Sequence, residues 1–271
     1  MKINKGCATM DEKINFGLVL KESAGLPMVK IDREGFLRAA LSPHFDEDTV
    51  CRAISVNPAY AGITTQEIKK IARSCINYET TKVTTLSFAA GIPGGLAMLG
   101  SVPADLVQYF GHVLRIAQKL IYLYGWQELF DESGQMDDGT ANLLTLFIGV
   151  MFGVNGAASA IVKISEAAAQ KAAKSLAQKA LTKGVVYPVV KKVATALGVK
   201  MTKDIFAKSV SKVIPVIGGV ASGTVTYVTY KPMAKKLRDH LATLKLADAE
   251  FYKGKDSTGI VITAEDFIEK Q

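Results

Sequence analysis

The polar and apolar positions of this chain follow helical spacing over most of its length, and three long segments between them carry no charged residue. Near the N-terminus, Asp32 and Asp46 each precede a short helical run, where a carboxylate can accept hydrogen bonds from the first free backbone N–H groups. Thr64 and Glu67 have the spacing of a capping box at the start of a further helix. This part of the chain is therefore predicted as short helices with ordinary N-terminal caps.

The stretch from Asp105 to Trp126 has the most regular helical pattern in the chain. Its polar residues recur every three to four positions and so share one narrow stripe, while most of the others are large and apolar. The stripe consists of Asp105, Gln108, His112, Arg115 and Lys119. Such a helix is either nearly surrounded by protein or half-sunk in a lipid interface with its stripe toward water, and we favour the first arrangement.

Three residues of this stripe, Asp105, His112 and Arg115, form a candidate buried polar site. Asp105 and Arg115 could belong to an ionic cluster, but they stand on one helix and are too far apart along it to meet directly. Other elements would have to bring their partners. The expected role of the site is structural.

The three charge-free segments are Val83 to Ala104, Gly139 to Val162 and Val213 to Tyr230. Proline removes a helix hydrogen bond and glycine weakens a helix, so the first segment is predicted as two short helices around a turn. For the same reason the third is predicted as a buried or re-entrant hairpin, followed by a mixed-charge helix from Met233 to Lys245. The second segment exceeds the ~20 residues that a bilayer core requires and is the best candidate for a spanning helix.

Each of these segments contains two glycines four positions apart, which flatten one helix face so that another backbone can approach closely. The residues expected to support such packing are Gly91, Pro93, Gly94, Gly95, Gly149, Gly153, Pro215, Gly218, Gly219 and Gly223. The chain is therefore predicted to be all-α, a compact helical bundle with glycine-rich apolar helical hairpins at its centre.

The positive charge of the protein is concentrated in one region. The whole chain has a formal net charge of +8, whereas residues 163–212 alone hold eleven lysines against Glu166 and Asp204, a local net charge of +9. This region predicts contact with anionic lipid, and the named candidates are Lys163, Lys171, Lys174, Lys191 and Lys192. Nucleic acid is disfavoured, since the region has no arginine and only Tyr187 and Phe206 for stacking. A solvated face that keeps an alanine-rich helix soluble fits equally well.

No pattern in the chain predicts a catalytic centre, a metal site or a cofactor. His44, His112 and His240 are isolated from one another, and no phosphate-binding glycine loop follows a predicted strand. The three cysteines form no C-x-x-C pair, which favours a reducing cytoplasm. A mean hydropathy of +0.20 and the absence of an apolar run after Met1 favour a protein that stays inside the cell but touches an interface.

Two parts of the sequence resemble the EcsC family. One comprises Gly91 to Gly95, Pro103 to Leu106 and the helix that ends Tyr122-Leu123-Tyr124-Gly125-Trp126, and the other is Lys212 to Gly219 with the helix after it. The resemblance implies a mainly bacterial, helical, membrane-related protein with a link to ABC transport and secretion, and it supplies no established catalytic residues to carry over to this chain. The long Ala/Lys stretch departs from the family and leaves any shared partner open.

Three regions are expected: a short-helix region over residues 1–63, an EcsC-like helical domain over 64–249 and a peripheral tail over 250–271. The leading functional hypothesis is a non-enzymatic protein that is peripheral to, or partly inserted in, the inner face of the cell membrane. Its expected partners are anionic lipids or a membrane protein, and its expected role is in ABC transport, secretion or the envelope. The alternative is a soluble helical bundle that holds a lipid, an acyl-type ligand or another small apolar ligand in an internal pocket. A third hypothesis is an enzyme that uses Asp105 or Arg115 in an internal cleft.

Overall fold

The computed structural model describes residues 15–89, 98–99, 102–130, 136–169, 186–200 and 221–254. Within these ranges the side chains are described over 15–82, 106–130, 136–166, 187–198 and 229–254. Ten α-helices occupy this part of the chain: α1 Phe16–Ala24, α2 Arg33–Leu41, α3 Glu47–Ser55, α4 Thr65–Ala89, α5 Ala104–Leu123, α6 Asp138–Met151, α7 Ala157–Ala169, α8 Val186–Lys200, α9 Ala221–Leu241 and α10 Ala249–Tyr252. A 3-10 turn covers Lys245–Ala247, and β1 (Met98–Leu99) pairs antiparallel with β2 (Val102–Pro103).

The predicted helix caps are confirmed. Asp32 accepts a hydrogen bond from the backbone N–H of Gly35 at 2.8 Å, and Asp46 accepts one from Thr49 at 2.9 Å. In the capping box, the backbone N–H of Thr64 donates to the Glu67 carboxylate at 2.9 Å. These bonds satisfy donors that have no partner within their own helix, so each one sets where a helix begins.

Helix α5 lies at the centre of a compact bundle, which confirms the predicted all-α fold class. It packs against α1, α2, α4, α6 and α9. Apart from Gln108, Tyr109 and Arg115, every side chain from Leu106 to Trp126 is buried. The expectation that protein rather than lipid surrounds this helix is therefore confirmed.

One hydrophobic core joins the first helices to the rest of the bundle. It extends from Phe16 on α1 through Leu37 on α2 to Leu246 near the end of the described chain. Phe16 meets Phe110 of α5 edge to face, with ring centroids 6.0 Å apart. The predicted boundary at residue 63 thus marks a change in helix length, while the side chains on both sides of it share the same core.

The segment Gly139 to Val162, the best candidate for a spanning helix, is not one continuous helix. This segment forms α6 and α7, separated by a turn in which Gly153 and Gly156 have φ angles of +65° and +92°. Such angles are strained for any residue with a Cβ, so the glycines allow the chain to leave α6 and reverse. Among the described helices, none is both long and apolar enough to cross a membrane.

The boundaries predicted for the other two apolar segments also need correction. Helix α4 continues without interruption to Ala89, and the described end of the first segment forms β1 and β2 in place of a second helix. Helix α9 runs through Pro232, so no new helix begins at Met233. Proline costs one helix hydrogen bond, but α9 packs along α4, and tertiary packing of this kind stabilises a helix more than local propensity does.

The buried side chain of Arg33 forms hydrogen bonds that connect α2 with the end of α3 and with Trp126, after α5. Its side chain is only 6% exposed, and the guanidinium donates to the carbonyl oxygens of Ile54 at 2.6 Å and Val56 at 3.3 Å, where α3 ends. The Nε–H donates to the carbonyl of Trp126 at 3.0 Å. Burial lowers the pKa of Arg33, opposed by the charge of Glu128, which also accepts from the Arg33 backbone N–H at 3.0 Å.

Replacing Arg33 with methionine is expected to reduce the free energy of unfolding by about 3 kcal/mol, because the buried carbonyls would lose their charged donor. Arg38→Met is the matched control, since the Arg38 side chain is 43% exposed and water weakens its bridges to Glu34 and Glu47. Urea denaturation measures both. Equal losses in the two variants would contradict a special role for Arg33.

Candidate functional site

A charged cluster lies between α4 and α5, around the carboxylate of Glu79. Glu79 is 1% exposed, and each of its oxygens accepts from a different cation of α5. Lys119 Nζ bonds Oε1, and Arg115 Nε donates to Oε2 at 3.3 Å. Both cations sit one turn apart on the polar stripe of α5, so one carboxylate can engage them together.

The surroundings of the two cations come from the first helices as well as from α4. Arg115 Nη1 donates to the backbone carbonyl of Met28 at 2.5 Å, in the connection between α1 and α2. Lys119 Nζ stands 5.4 Å from the ring centre of Phe36 on α2 and 5.9 Å from that of Tyr78 on α4. At these distances the ring faces attract a cation.

Two further titratable groups near this cluster are held in their neutral forms. Burial raises the pKa of the Cys75 thiol to about 12, so it is not a reactive thiolate. Burial also lowers the pKa of His112, which is 6% exposed, and the charge of Glu79 opposes this effect. Tyr230 of α9 donates to the His112 backbone carbonyl at 3.2 Å.

The cluster contains one of the three residues of the predicted polar site, and a second lies next to it. Arg115 is in it and His112 is beside it, whereas the side chain of Asp105 lies outside the described residues. The partner of Arg115 is Glu79, which the sequence pattern did not predict as a site residue. A usable signal existed: Cys75 and Ile76 lie on the apolar face of the capped helix, and Glu79 is the next position on that face. A carboxylate there has to be buried and paired.

The charged groups of the cluster are better suited to holding a ligand than to catalysis. The Glu79 carboxylate is engaged by two cations, and Cys75 is protonated, so neither serves as an accessible nucleophile or base. Within the residues whose side chains are described, no group of three His, Cys, Asp or Glu stands close enough together to hold a metal ion.

Of the five lysines predicted to contact lipid, three lie on α7 or α8 and two lie outside the described residues. Lys191 and Lys192 are exposed on α8, beside Tyr187, which is 52% exposed. Lys191 Nζ stands 5.7 Å from the ring centre of Tyr187. Lys163 is exposed on α7, and Lys171 and Lys174 lie outside the described residues.

Helix α8 owes its position partly to Gly149 of α6. A Cβ placed on Gly149 would come within 2.6 Å of Val193 Cγ1 on α8 and 2.9 Å of Ala157 Cβ on α7. Both distances are too short for real contacts, so the three helices can meet here only around a glycine. Gly153 has a different setting, in the turn after α6.

The other residues predicted to support close helix packing lie mostly outside the described part of the chain. Gly91, Pro93, Gly94, Gly95, Pro215, Gly218 and Gly219 lie outside the described residues. Gly223 falls within α9, in a part where only the backbone is described. For these residues, close helix packing stays a prediction.

Comparisons with models of protein families, with curated proteins and with solved structures give no match to this chain. The resemblance to the EcsC family therefore stays a prediction based on short motifs. Two features of the described residues bear on function, the charged cluster around Glu79 and the exposed face of α8.

Replacing Glu79 with glutamine is expected to reduce the free energy of unfolding by roughly 3 kcal/mol, because two partly buried cations would lose their counter-charge. Glu47→Gln is the control, since Glu47 pairs with Arg38 at the surface, where water weakens the ion pair, and its loss should reduce the stability far less. Chemical denaturation at neutral pH compares the two. A Glu79→Gln protein as stable as the control would contradict the importance of this pairing.

The buried His112 is expected to make the fold less stable in weak acid. Its pKa is lower in the folded protein than the usual 6.5, so the unfolded chain binds a proton first as the pH falls. Stability from this group is present above about pH 6.5 and is lost as the pH decreases toward the folded pKa.

The variant His112→Gln should therefore lose less stability between about pH 7 and pH 5 than the parent protein does. Some decline should remain, because burial also lowers the pKa of His240. Urea denaturation at several pH values measures the difference. Parallel pH profiles for the two proteins would rule out a contribution from His112.

Proposed function

We propose that this protein binds peripherally to the anionic surface of a membrane, through the exposed face of α8, and that it has no enzymatic role. One observation carries the proposal: α8 has an inner face of Val190, Val193 and Leu197, which is buried, and an outer face that carries lysine and tyrosine. The outer face comprises Tyr187, Pro188, Lys191, Lys192 and Thr195.

The composition of α8 suits an anionic surface. Between Val186 and Lys200 there is no Asp or Glu, so no acidic side chain of the helix offsets its lysines. Tyr187 has an apolar ring and a polar hydroxyl, a combination that favours the boundary between lipid and water. The contact of Lys191 with this ring places cation and aromatic where one surface can receive both.

The magnitudes indicate that α8 alone would bind weakly. A lysine near an anionic surface contributes about 1 kcal/mol, so Lys191 and Lys192 together supply about 2 kcal/mol. Lys163 is exposed on α7, which packs against α8, and residues 163–212 hold eleven lysines in all. Stable attachment therefore requires several basic residues of this region to act together.

The resemblance to the EcsC family supports the same location, at the inner face of a bacterial cell membrane, with a role linked to ABC transport, secretion or the envelope. A membrane protein there could share the contact with lipid. The competing function, a soluble bundle with an internal lipid or acyl ligand, needs no charged outer face, so vesicle binding distinguishes the two.

The test is flotation with vesicles that contain phosphatidylserine, compared with vesicles of phosphatidylcholine alone. The parent protein should float with the anionic vesicles and detach as salt rises. The double variant Lys191→Glu with Lys192→Glu should bind at least thirtyfold more weakly, because loss of about 2 kcal/mol corresponds to that factor and the new charges add repulsion.

Lys235→Glu with Lys236→Glu is the matched control, since these are also adjacent, exposed lysines on a helix and the change in net charge is identical. This control should keep most of the binding. Equal loss in both double variants would show that net charge alone attracts the protein, and indifference to the lipid composition would overturn the proposal and favour the soluble alternative.

A further inference from the structure

The cluster at Glu79 holds more hydrogen-bond donors than the described residues accept from. An arginine carries five N–H donors and a lysine three. Arg115 uses Nε on Glu79 and Nη1 on the Met28 carbonyl, and Lys119 makes one bond, to Glu79. Arg115 Nη2 and the remaining Lys119 donors have no acceptor among the described residues.

The same cluster carries excess positive charge. Among the residues whose side chains are described, Arg115 and Lys119 share a single carboxylate, and their side chains are only 20% and 11% exposed. Lys82 follows Glu79 by three positions on α4, is exposed, and so adds a third cation on the same side of that helix. A partly buried cation pair with one counter-charge is costly, and a second anion would offset that cost.

Large apolar side chains are exposed next to these free donors. Four large hydrophobic residues are exposed among those described, and two of them, Tyr78 at 63% and Met28 at 39%, flank the cluster. The Tyr78 ring lies 5.9 Å from Lys119 Nζ, and the Met28 carbonyl accepts from Arg115. The other two, Leu18 and Tyr187, are on α1 and α8.

We propose that Arg115 and Lys119 form a binding site for a phosphate group, with Tyr78 and Met28 in contact with an apolar or aromatic part of the same ligand. A tetrahedral oxyanion has oxygens on several sides, so it can accept from the guanidinium and the ammonium at once. Glu79 fixes both cations in place and also reduces their net charge. The site is separate from the lipid-binding face proposed for α8.

Isothermal titration calorimetry with phenyl phosphate and with inorganic phosphate tests the site in the full-length protein. Phenyl phosphate should bind more tightly than inorganic phosphate, because its ring can contact Tyr78. Lys119→Met should weaken both by roughly tenfold, the effect of one lost charge-assisted hydrogen bond. Lys70→Met, which removes an exposed lysine elsewhere on α4, should change neither.

Two other variants distinguish ligand binding from a structural role. Glu79→Gln keeps one side-chain oxygen that can hold a cation in place but removes the competing negative charge, so it should strengthen phosphate binding even though it weakens the fold. Tyr78→Ala changes an exposed side chain, should fold normally, and should abolish the preference for phenyl phosphate over inorganic phosphate. This last variant keeps the proposal testable if the buried substitutions prevent folding.

Binding of phosphate that is unaffected by Lys119→Met, or no binding by the folded parent protein, would overturn the proposal. Vesicles that contain phosphatidic acid separate a lipid headgroup from a free phosphate. Suppose that the protein binds only phosphatidic acid vesicles, and that this binding is lost in the Lys191→Glu, Lys192→Glu variant. The α8 face then accounts for the binding, and the proposed site at Arg115 is wrong. Retention of phenyl phosphate binding in that variant would support it.

Discussion

The bundle depends on the pairing of one buried carboxylate with two cations on its central helix. Helix α5 is apolar on nearly every side, yet Arg115 and Lys119 face the interior where α4 crosses it. Charges in such a place require a partner, and Glu79 supplies one for both. The position of α4 on α5 is thereby specified by charge as well as by shape. The donors left over make the same place a candidate for ligand binding.

A second buried charge holds the short helices to this centre. Arg33 begins α2, yet its guanidinium reaches carbonyls at the end of α3 and at Trp126, beyond the end of α5. A cation at the C-terminal end of a helix also interacts favourably with the helix dipole. The early helices therefore share both the hydrophobic core and the polar interior of the protein.

The packing of α6, α7 and α8 determines which side chains of α8 are exposed. Gly149 lets α6, α7 and α8 approach closely, which buries the apolar side of α8 and leaves its lysines and Tyr187 on the outside. The exposed surface is thus basic at α8 and mixed around Tyr78 and Lys82. Two separate anionic contacts, one with a lipid surface and one with a phosphate group, are compatible with this distribution.

The sequence by itself determined what depends on neighbours within a turn or two. The caps at Asp32 and Asp46 and the regular helix of α5 are of this kind, and the stripe already named His112, Arg115 and Lys119. The tertiary structure decided the partners: Glu79 lies 36 positions before Arg115, and Arg33 lies 93 before Trp126. It also divided the apolar run after Asp138 into two helices. Hydrogen bonds within a turn follow from local spacing, whereas contacts between distant residues depend on how whole helices cross, which no short pattern encodes.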